Sequence, residues 1–325
     1  MKVIVRPFFS VIITTYNREI LLQRAIYSLL SQKETDWECI IIDDGSSDNS
    51  ELVIKKIIFE TNQNAGSLSK MSFPRKRESS IDEVSWIPPY AGMTSKHIFS
   101  STSTINKILK SDRTINNKKF NYYKIEHSGH FRAKEVGIEK SNGIYFTFLD
   151  SDDEYLPEHL SIRKEILLKN NDIDLLHGGV KIIGNHYVPD FYNPGKMIHL
   201  KECVIGGTFF IRREAYNKIG NFSKKKFGDD KDFFDKAKNF GFKIVNIEVD
   251  IKACLDVIPA KAGIHNIACT LDSHFRENDN ISQFLTFSTA TKINNDIYTY
   301  IYHRDNEDSI CNLVERGEYN IYENE

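Results

Sequence analysis

Three short apolar runs, each rich in aromatic and β-branched side chains and each ending abruptly in polar or acidic residues, restrict the fold most. They are Phe8 to Thr14 (FFSVIIT), Glu38 to Ile42 (ECIII) and Ile144 to Leu149 (IYFTFL). Continuous apolar character, in place of in–out alternation, marks a strand covered on both faces. Between the first two runs, Glu19 to Gln32 sets Leu22, Ala25, Ile26, Leu29 and Leu30 at helical spacing, which predicts an amphipathic helix with one core face. After the second, Asp43-Asp44-Gly45-Ser46-Ser47-Asp48 is a turn whose Ser47 or Asp48 can cap a helix running through Ile58. Strand, helix, strand, helix with short turns is the βαβ pattern of a parallel sheet. Ligands of such sheets sit beyond the C-terminal strand ends, where Thr14 to Tyr16, Asp43/Asp44 and Asp150/Asp152 all fall.

The third run carries the chemistry. It stops at Asp150-Ser151-Asp152-Asp153, and a helical segment follows from Pro157. Carboxylates crowded at a strand end repel one another and raise each other's pKa unless a cation sits among them. A hard, oxygen-liganded ion suits them, Mg²⁺ or Mn²⁺ bridging to a phosphate. For a lone DxD, a solvated acidic loop capping the next helix would explain as much; the rest of the chain decides.

Charge and cysteine usage narrow the partners. Lys+Arg 43 against Asp+Glu 45 leaves a formal charge of -2, so no general pull toward nucleic acid or an anionic membrane is expected. The five cysteines (Cys39, Cys203, Cys254, Cys269, Cys311) are scattered, odd in number and without CxxC spacing, which points to reduced thiols in a cytosolic setting. No run approaches a transmembrane length, and MKVIVRPFFSVIITTYN leads straight into a strand. The expected location is cytoplasmic, with any work at the inner face of the membrane done by peripheral recruitment.

SVIITTYNRE, a helix ending SLLSQ, ECIIIDDGSSDNS, GIYFTFLDSDDEYLP and GGTFFIRREAYNKIGNF, in that order over most of residues 8 to 245, resemble the family 2 nucleotide-sugar glycosyltransferases of the GT-A fold. The resemblance implies an α/β, Rossmann-like, mostly parallel central sheet flanked by helices. It implies a single domain over residues 8–311, with a nucleotide-sugar donor half (8–158) and an acceptor half (159–311). It implies that Thr14, Tyr16 and Asp44 hold the nucleotide base, Tyr16 by stacking and Asp44 by accepting from a ring N–H. Asp150 would take the ribose and Asp152 the metal on the diphosphate. The alternative for Asp43 and Asp44 is a turn-and-cap role, and for Asp43 that role alone suffices.

Where the family has a Gly loop followed by Ala-Arg-Asn, this chain has EHSGHFRAKEVGIEKSNG. Alignment on Gly129 and Gly137 puts Ala133-Lys134-Glu135 there, so Lys134 keeps a positive charge near the nucleotide without the planar fork of arginine. Arg132 falls on another helix face, and His127 and His130 read as ordinary polar loop histidines. Farther on, Ile173 to Ile183 and Cys203 to Ile211 are expected strands, the second leading into a helix that ends at Gly220. In Lys226 to Phe233 (KFGDDKDF), Asp230 matches the family's general base of inverting transfer, whereas plain helix capping by Asp229 and Asp230 is the alternative. In Tyr298 to Ser309 a strand ends at His303, which the family places in a loop returning to the diphosphate and metal. An isolated surface histidine is the usual reading of such a residue.

Two stretches fall outside the pattern: Met71 to Ser95 and Asp256 to Asn280. They lack periodicity and resemble translated copies of a dispersed palindromic repeat. Codons for Ser72 to Ser79 (SFPRKRES) can form one DNA string that, shifted by one base, encodes Val257 to Ile264 (VIPAKAGI). Both are read as loop insertions, so PRKR is neither a localisation signal nor a nucleic-acid patch. Without about 50 inserted residues, roughly 275 remain, one domain of ordinary size, and long surface loops add only slowly growing entropy. The tail 315–325 is acidic and expected to fray.

The expected function is metal-dependent (Mn²⁺ or Mg²⁺) sugar transfer from a nucleotide-diphosphate donor, a UDP-sugar foremost, to a hydroxyl of a glycan or lipid-linked acceptor in cell-surface glycan synthesis. Asp230 is the expected catalytic residue; Thr14, Tyr16, Asp44, Lys134 and Asp150 bind the donor; Asp152 and His303 hold the metal. The alternative is an impaired remnant that folds or binds nucleotide only. A nucleotidyltransferase would want a Gly-rich basic loop after the first strand, and TTYNRE is not one.

Overall fold

A computed structural model describes residues 6–63, 119–190, 192–193, 195–225, 228–248, 298–304 and 316. Both candidate insertions lie outside the described residues, as does the tail apart from Arg316. The chain runs β1 (Phe9–Thr15), α1 (Leu21–Leu30), β2 (Trp37–Asp43), α2 (Ser50–Gln63), β3 (Phe120–Lys124), α3 (His130–Lys140), β4 (Tyr145–Phe148) and β5 (Glu154–Tyr155). It continues with α4 (His159–Lys169), β6 (Leu175–His177), β7 (Val180–Gly184), β8 (Tyr187–Pro189), β9 (Met197–His199), β10 (Phe210–Arg212), α5 (Arg213–Ile219), α6 (Asp229–Asn239), β11 (Ile244–Asn246) and β12 (Tyr300–Arg304).

The main sheet has the order β11-β6-β10-β4-β1-β2-β3. Its pairs are parallel except at β10, which runs against both β4 and β6. Alternating residues of the buried strands feed two cores on opposite faces. Phe9, Val11, Ile13, Cys39 and Ile41 pack with α1, α2 and α4. Ile12, Ile40, Ile42, Phe146 and Phe148 pack with α3, α5 and α6. Both faces are therefore dry, which accounts for the absence of polar alternation in FFSVIIT and ECIII. Of the polar residues in these strands, Glu38 is buried but accepts from Ser10 Oγ (2.7 Å) and the Asn142 amide (2.6 Å).

Two expected strands are shorter than the sequence suggested. Ile173 to Ile183 breaks at Gly178 and Gly179, whose φ values of 91° and 76° turn the chain out of the main sheet; β7 then joins β12 and β5 in a second sheet. Most of Cys203 to Ile211 is irregular, with a 3₁₀ turn at Gly206–Thr208, and only Phe210 onward pairs. Thr208 satisfies backbone groups locally: its hydroxyl donates to the Ile205 carbonyl (2.7 Å) and accepts from the Gly178 amide (3.1 Å). A ladder is then not needed.

Register places the functional ends together. Thr15 is level with Asp43, and Ile12 with Phe148, so Asp150, two residues on, reaches the level of Thr14. The second sheet ties the acidic loop down, because β5 directly follows Asp153 and pairs antiparallel with β12.

Candidate active site

A single cleft of about 760 Å³ opens at the C-terminal edge of β1, β2 and β4, and Thr14, Tyr16, Asp44, Lys134, Asp150, Asp152, Asp230 and His303 all line it. They come from the ends of three parallel strands, from α3, from the start of α6 and from β12. The hairpin β8–β9 and the segment Cys203–Gly206 form the far wall.

On the β1/β2 side, Tyr16 is half exposed and Asp44 is buried. Asp44 Oδ1 accepts from the Ser128 amide (2.8 Å), and Oδ2 from the Gly129 amide (2.9 Å), so it also anchors the loop entering α3. Asp43 points into the protein, accepting from the Ser46 amide (2.7 Å) and the Tyr122 hydroxyl (2.9 Å). Its role is that of the turn. Asp48 Oδ1 accepts from the Ser50 amide (2.9 Å) at the start of α2, the expected cap.

At the centre, three carboxylates, Asp229, Asp230 and Asp150, share the Lys134 ammonium. Lys134 Nζ lies 3.1 Å from Asp229 Oδ2 and 3.4 Å from Asp230 Oδ1, above the rings of Phe148 and Phe222. Burial alone would push this lysine down, but Asp229, Asp230 and Asp150 hold it well above the ordinary ammonium range. Burial, reinforced by Asp152, Asp230 and Asp229 and opposed by Lys134, pushes Asp150 up to about 6. Asp230 is also pushed up, by burial first and then by Asp229, against the pull of Lys134 and the Gly206 amide, which donates to its Oδ2 (2.9 Å). Burial would raise Asp229 too, but Lys134 and His130 bring it below the usual carboxylate range. Neither acid caps α6 through its side chain; both face the cleft. A Cβ at Gly206 would run into the Asp230 carboxylate, which would have to move.

The acidic loop divides its labour. Asp150 and Asp152 line the cleft, and Arg24 Nη2 donates to the Asp152 carbonyl. Asp153 is buried, accepting from the Tyr300 hydroxyl (2.6 Å) and the His303 amide (2.8 Å). His303 is not in a loop beyond the strand: it lies inside β12, with Nε2 2.8 Å from Glu154 Oε1. The reason is the pairing of β12 with β7, which extends through Arg304. Among the described residues, no three His, Cys, Asp or Glu side chains converge in a way that could hold a metal ion.

Three further residues gain partners that the local sequence does not announce. Glu154 was a neighbour of the motif but is the partner of His303. His130 lines the cleft 3.9 Å from Asp229. The His127 ring stacks on Tyr16, with centroids 4.1 Å apart. One signal was present for both histidines, since they follow a third parallel strand, β3, at its C-terminal end.

The family model for Glycosyl transferase family 2 matches residues 10–66 and 100–220. A UDP-Glc:alpha-D-GlcNAc-diphosphoundecaprenol beta-1,3-glucosyltransferase from Escherichia coli is 26% identical over 201 residues, covering 61% of this chain and 56% of that protein. A GalNAc(5)-diNAcBac-PP-undecaprenol beta-1,3-glucosyltransferase from Campylobacter jejuni is 43% identical over 51 residues, 16% of each protein. The crystal structure of S. aureus TarS 1-349 in complex with UDP-GlcNAc overlays with a TM-score of 0.46 at 18% identity, covering 73% of this chain and 55% of that one. The chain spans about half the length of the E. coli relative, 56%. With more than half of its residues matched by the family model, the chain belongs to Glycosyl transferase family 2.

Proposed function

We propose that the cleft transfers a sugar from a nucleotide-diphosphate donor, a UDP-sugar, to a hydroxyl of a glycan or lipid-linked acceptor, with inversion at the anomeric carbon, in the building of cell-surface glycan. The observation that carries this reading is the convergence of eight residues from separate elements on one cleft at the C-terminal edge of a mostly parallel sheet. The E. coli relative, whose name states a UDP-Glc donor and a diphosphoundecaprenol acceptor, favours the donor and the lipid-linked acceptor.

Tyr16 offers its face to the base, with Thr14 and Asp44 beside it, and Asp150 accepts from the ribose. Asp150 and Asp152 are oxygen donors on the cleft wall, where burial and neighbouring carboxylates push Asp150 up against the pull of Lys134, and such a pair suits Mn²⁺ or Mg²⁺. His303 stands beside them with Nε2 already engaged by Glu154. Asp152 and His303 would hold such an ion against the donor diphosphate. When bound, such an ion neutralises charge growing on the departing diphosphate.

Asp230 acts as general base. The acceptor oxygen attacks the anomeric carbon, the bond from that carbon to the diphosphate oxygen breaks, and the acceptor's proton passes to the Asp230 carboxylate. Burial and Asp229 raise the proton affinity of Asp230, while Gly206 N–H and Lys134 hold the group in position and ionised. Lys134 thus serves both halves of the site, as counter-ion to Asp230 and as positive charge near Asp150. No helix of the described residues is long and apolar enough to cross a membrane.

Calorimetric titration with UDP and Mn²⁺ tests the donor side. Asp152→Asn should lose metal-dependent UDP binding, and His303→Ala should weaken it. Metal-dependent binding unchanged in both variants would remove these residues from the site.

A further inference from the structure

The flat slot beside Asp44 is already filled. The His127 ring lies on Tyr16, with centroids 4.1 Å apart and planes 23° from parallel. Its Nδ1 is 2.9 Å from Asp44 Oδ2 and 3.0 Å from the Asp44 carbonyl oxygen. Both of those oxygens can only accept from the ring, so Nδ1 carries the proton and donates. An imidazole that stacks on this tyrosine and gives an N–H to this carboxylate makes the two contacts assigned above to a nucleobase. Granted that assignment, we propose that His127 is an internal stand-in for the base, and that donor binding is an exchange of rings in which the imidazole leaves before the base enters.

Two further features favour exchange over a simple wall. The position of the His127 backbone is built in: Gly45, at φ 81°, lies under it so closely that a Cβ on Gly45 would sit 2.9 Å from the His127 amide nitrogen. The ring, by contrast, has room to leave, since the His127 side chain is 56% exposed. Rotation about its own side-chain bonds clears the slot with the backbone fixed. Asp44 keeps its Ser128 and Gly129 amide donors while the ring is out, so the carboxylate stays positioned. The imidazole therefore competes with the base for Tyr16 and Asp44, and lowers nucleotide affinity by the fraction of time it is seated.

The test is titration of UDP, of GDP and of inorganic pyrophosphate into the parent protein, His127→Ala, His127→Phe and Asp44→Ala. His127→Ala should bind UDP about tenfold more tightly, with pyrophosphate, which has no base, unchanged. His127→Phe, which keeps a ring on Tyr16 but has no N–H for Asp44, should fall between. UDP affinity equal to or weaker than the parent's in folded His127→Ala, with binding still lost on Asp44→Ala, would overturn the exchange and leave the donor site standing. No binding of either nucleotide to any of these folded proteins would overturn the donor site and the exchange together.

Discussion

Replacing Lys134 by methionine keeps the stem against Phe148 and Phe222 and removes the ammonium that lies 3.1 Å from Asp229 and 3.4 Å from Asp230. Breaking a buried ion pair on one side costs about 3–5 kcal/mol. Two features reduce this. The Asp230 side chain is 27% exposed, and both acids sit in the first turn of α6, where the helix favours negative charge by about 0.3–1 kcal/mol. A loss of about 2–4 kcal/mol at pH 7 follows, or roughly 4–15 °C in Tm for a domain of this size. The pH dependence fixes the cause. Asp229 is held below its unfolded value, so its stabilising contribution is present above the ordinary carboxylate pKa and disappears as pH falls. Lys134, held above its unfolded value, contributes throughout the range below the ordinary lysine pKa. The penalty of Lys134→Met should therefore be full at pH 7 and shrink toward pH 4, as the stranded acids take up protons. Urea denaturation of parent and variant across that range reads it directly. A penalty below about 1 kcal/mol at pH 7, or one that does not change with pH, would show that these charges are effectively solvated and not a buried ion pair.

Three other outcomes follow from the same geometry. Gly206→Ala puts a methyl group into the Asp230 carboxylate and should cut transfer while leaving UDP binding intact, checked by calorimetry beside a transfer assay. Asp150→Asn should stabilise the fold above pH 6 by about 1–3 kcal/mol and do nothing near pH 4: the folded pKa of about 6 exceeds the ordinary aspartate value of 3.8, so the parent loses stability as pH rises between them. Tyr300→Phe takes a 2.6 Å hydrogen bond from buried Asp153 and should cost about 1–3 kcal/mol in denaturant melts.

Much of this was legible from residues 8 to 158. The doubly covered strands β1, β2 and β4 announce themselves as unbroken apolar runs, and Asp44, Asp150 and Asp152 stand at their ends because parallel strands in register finish together. What local sequence does not contain is pairing across distance. Asp153 looks like its neighbours Asp150 and Asp152, yet its partners Tyr300 and His303 lie 147 and 150 residues away and turn it inward. Asp229 and Asp230 resemble helix caps until Lys134, 95 and 96 residues earlier, is brought against them. His127 reads as a loop histidine because nothing near it in sequence reveals Tyr16. The antiparallel β10 was hidden for a related reason: a three-residue buried strand carries no mark of its direction.

A transfer assay measures outright whether this cleft turns over a nucleotide sugar with Asp230 as the base. The most direct test incubates the parent protein and Asp230→Asn with a panel of nucleotide sugars, with and without Mn²⁺, and measures release of nucleoside diphosphate in the presence of a lipid-linked acceptor. Mn²⁺-dependent release by the parent is the expected result, with a UDP-sugar preferred, and Asp230→Asn should lose about 10²–10⁴-fold with UDP affinity retained. Full turnover by Asp230→Asn, or UDP binding by the parent with no turnover of any donor, would contradict this expectation.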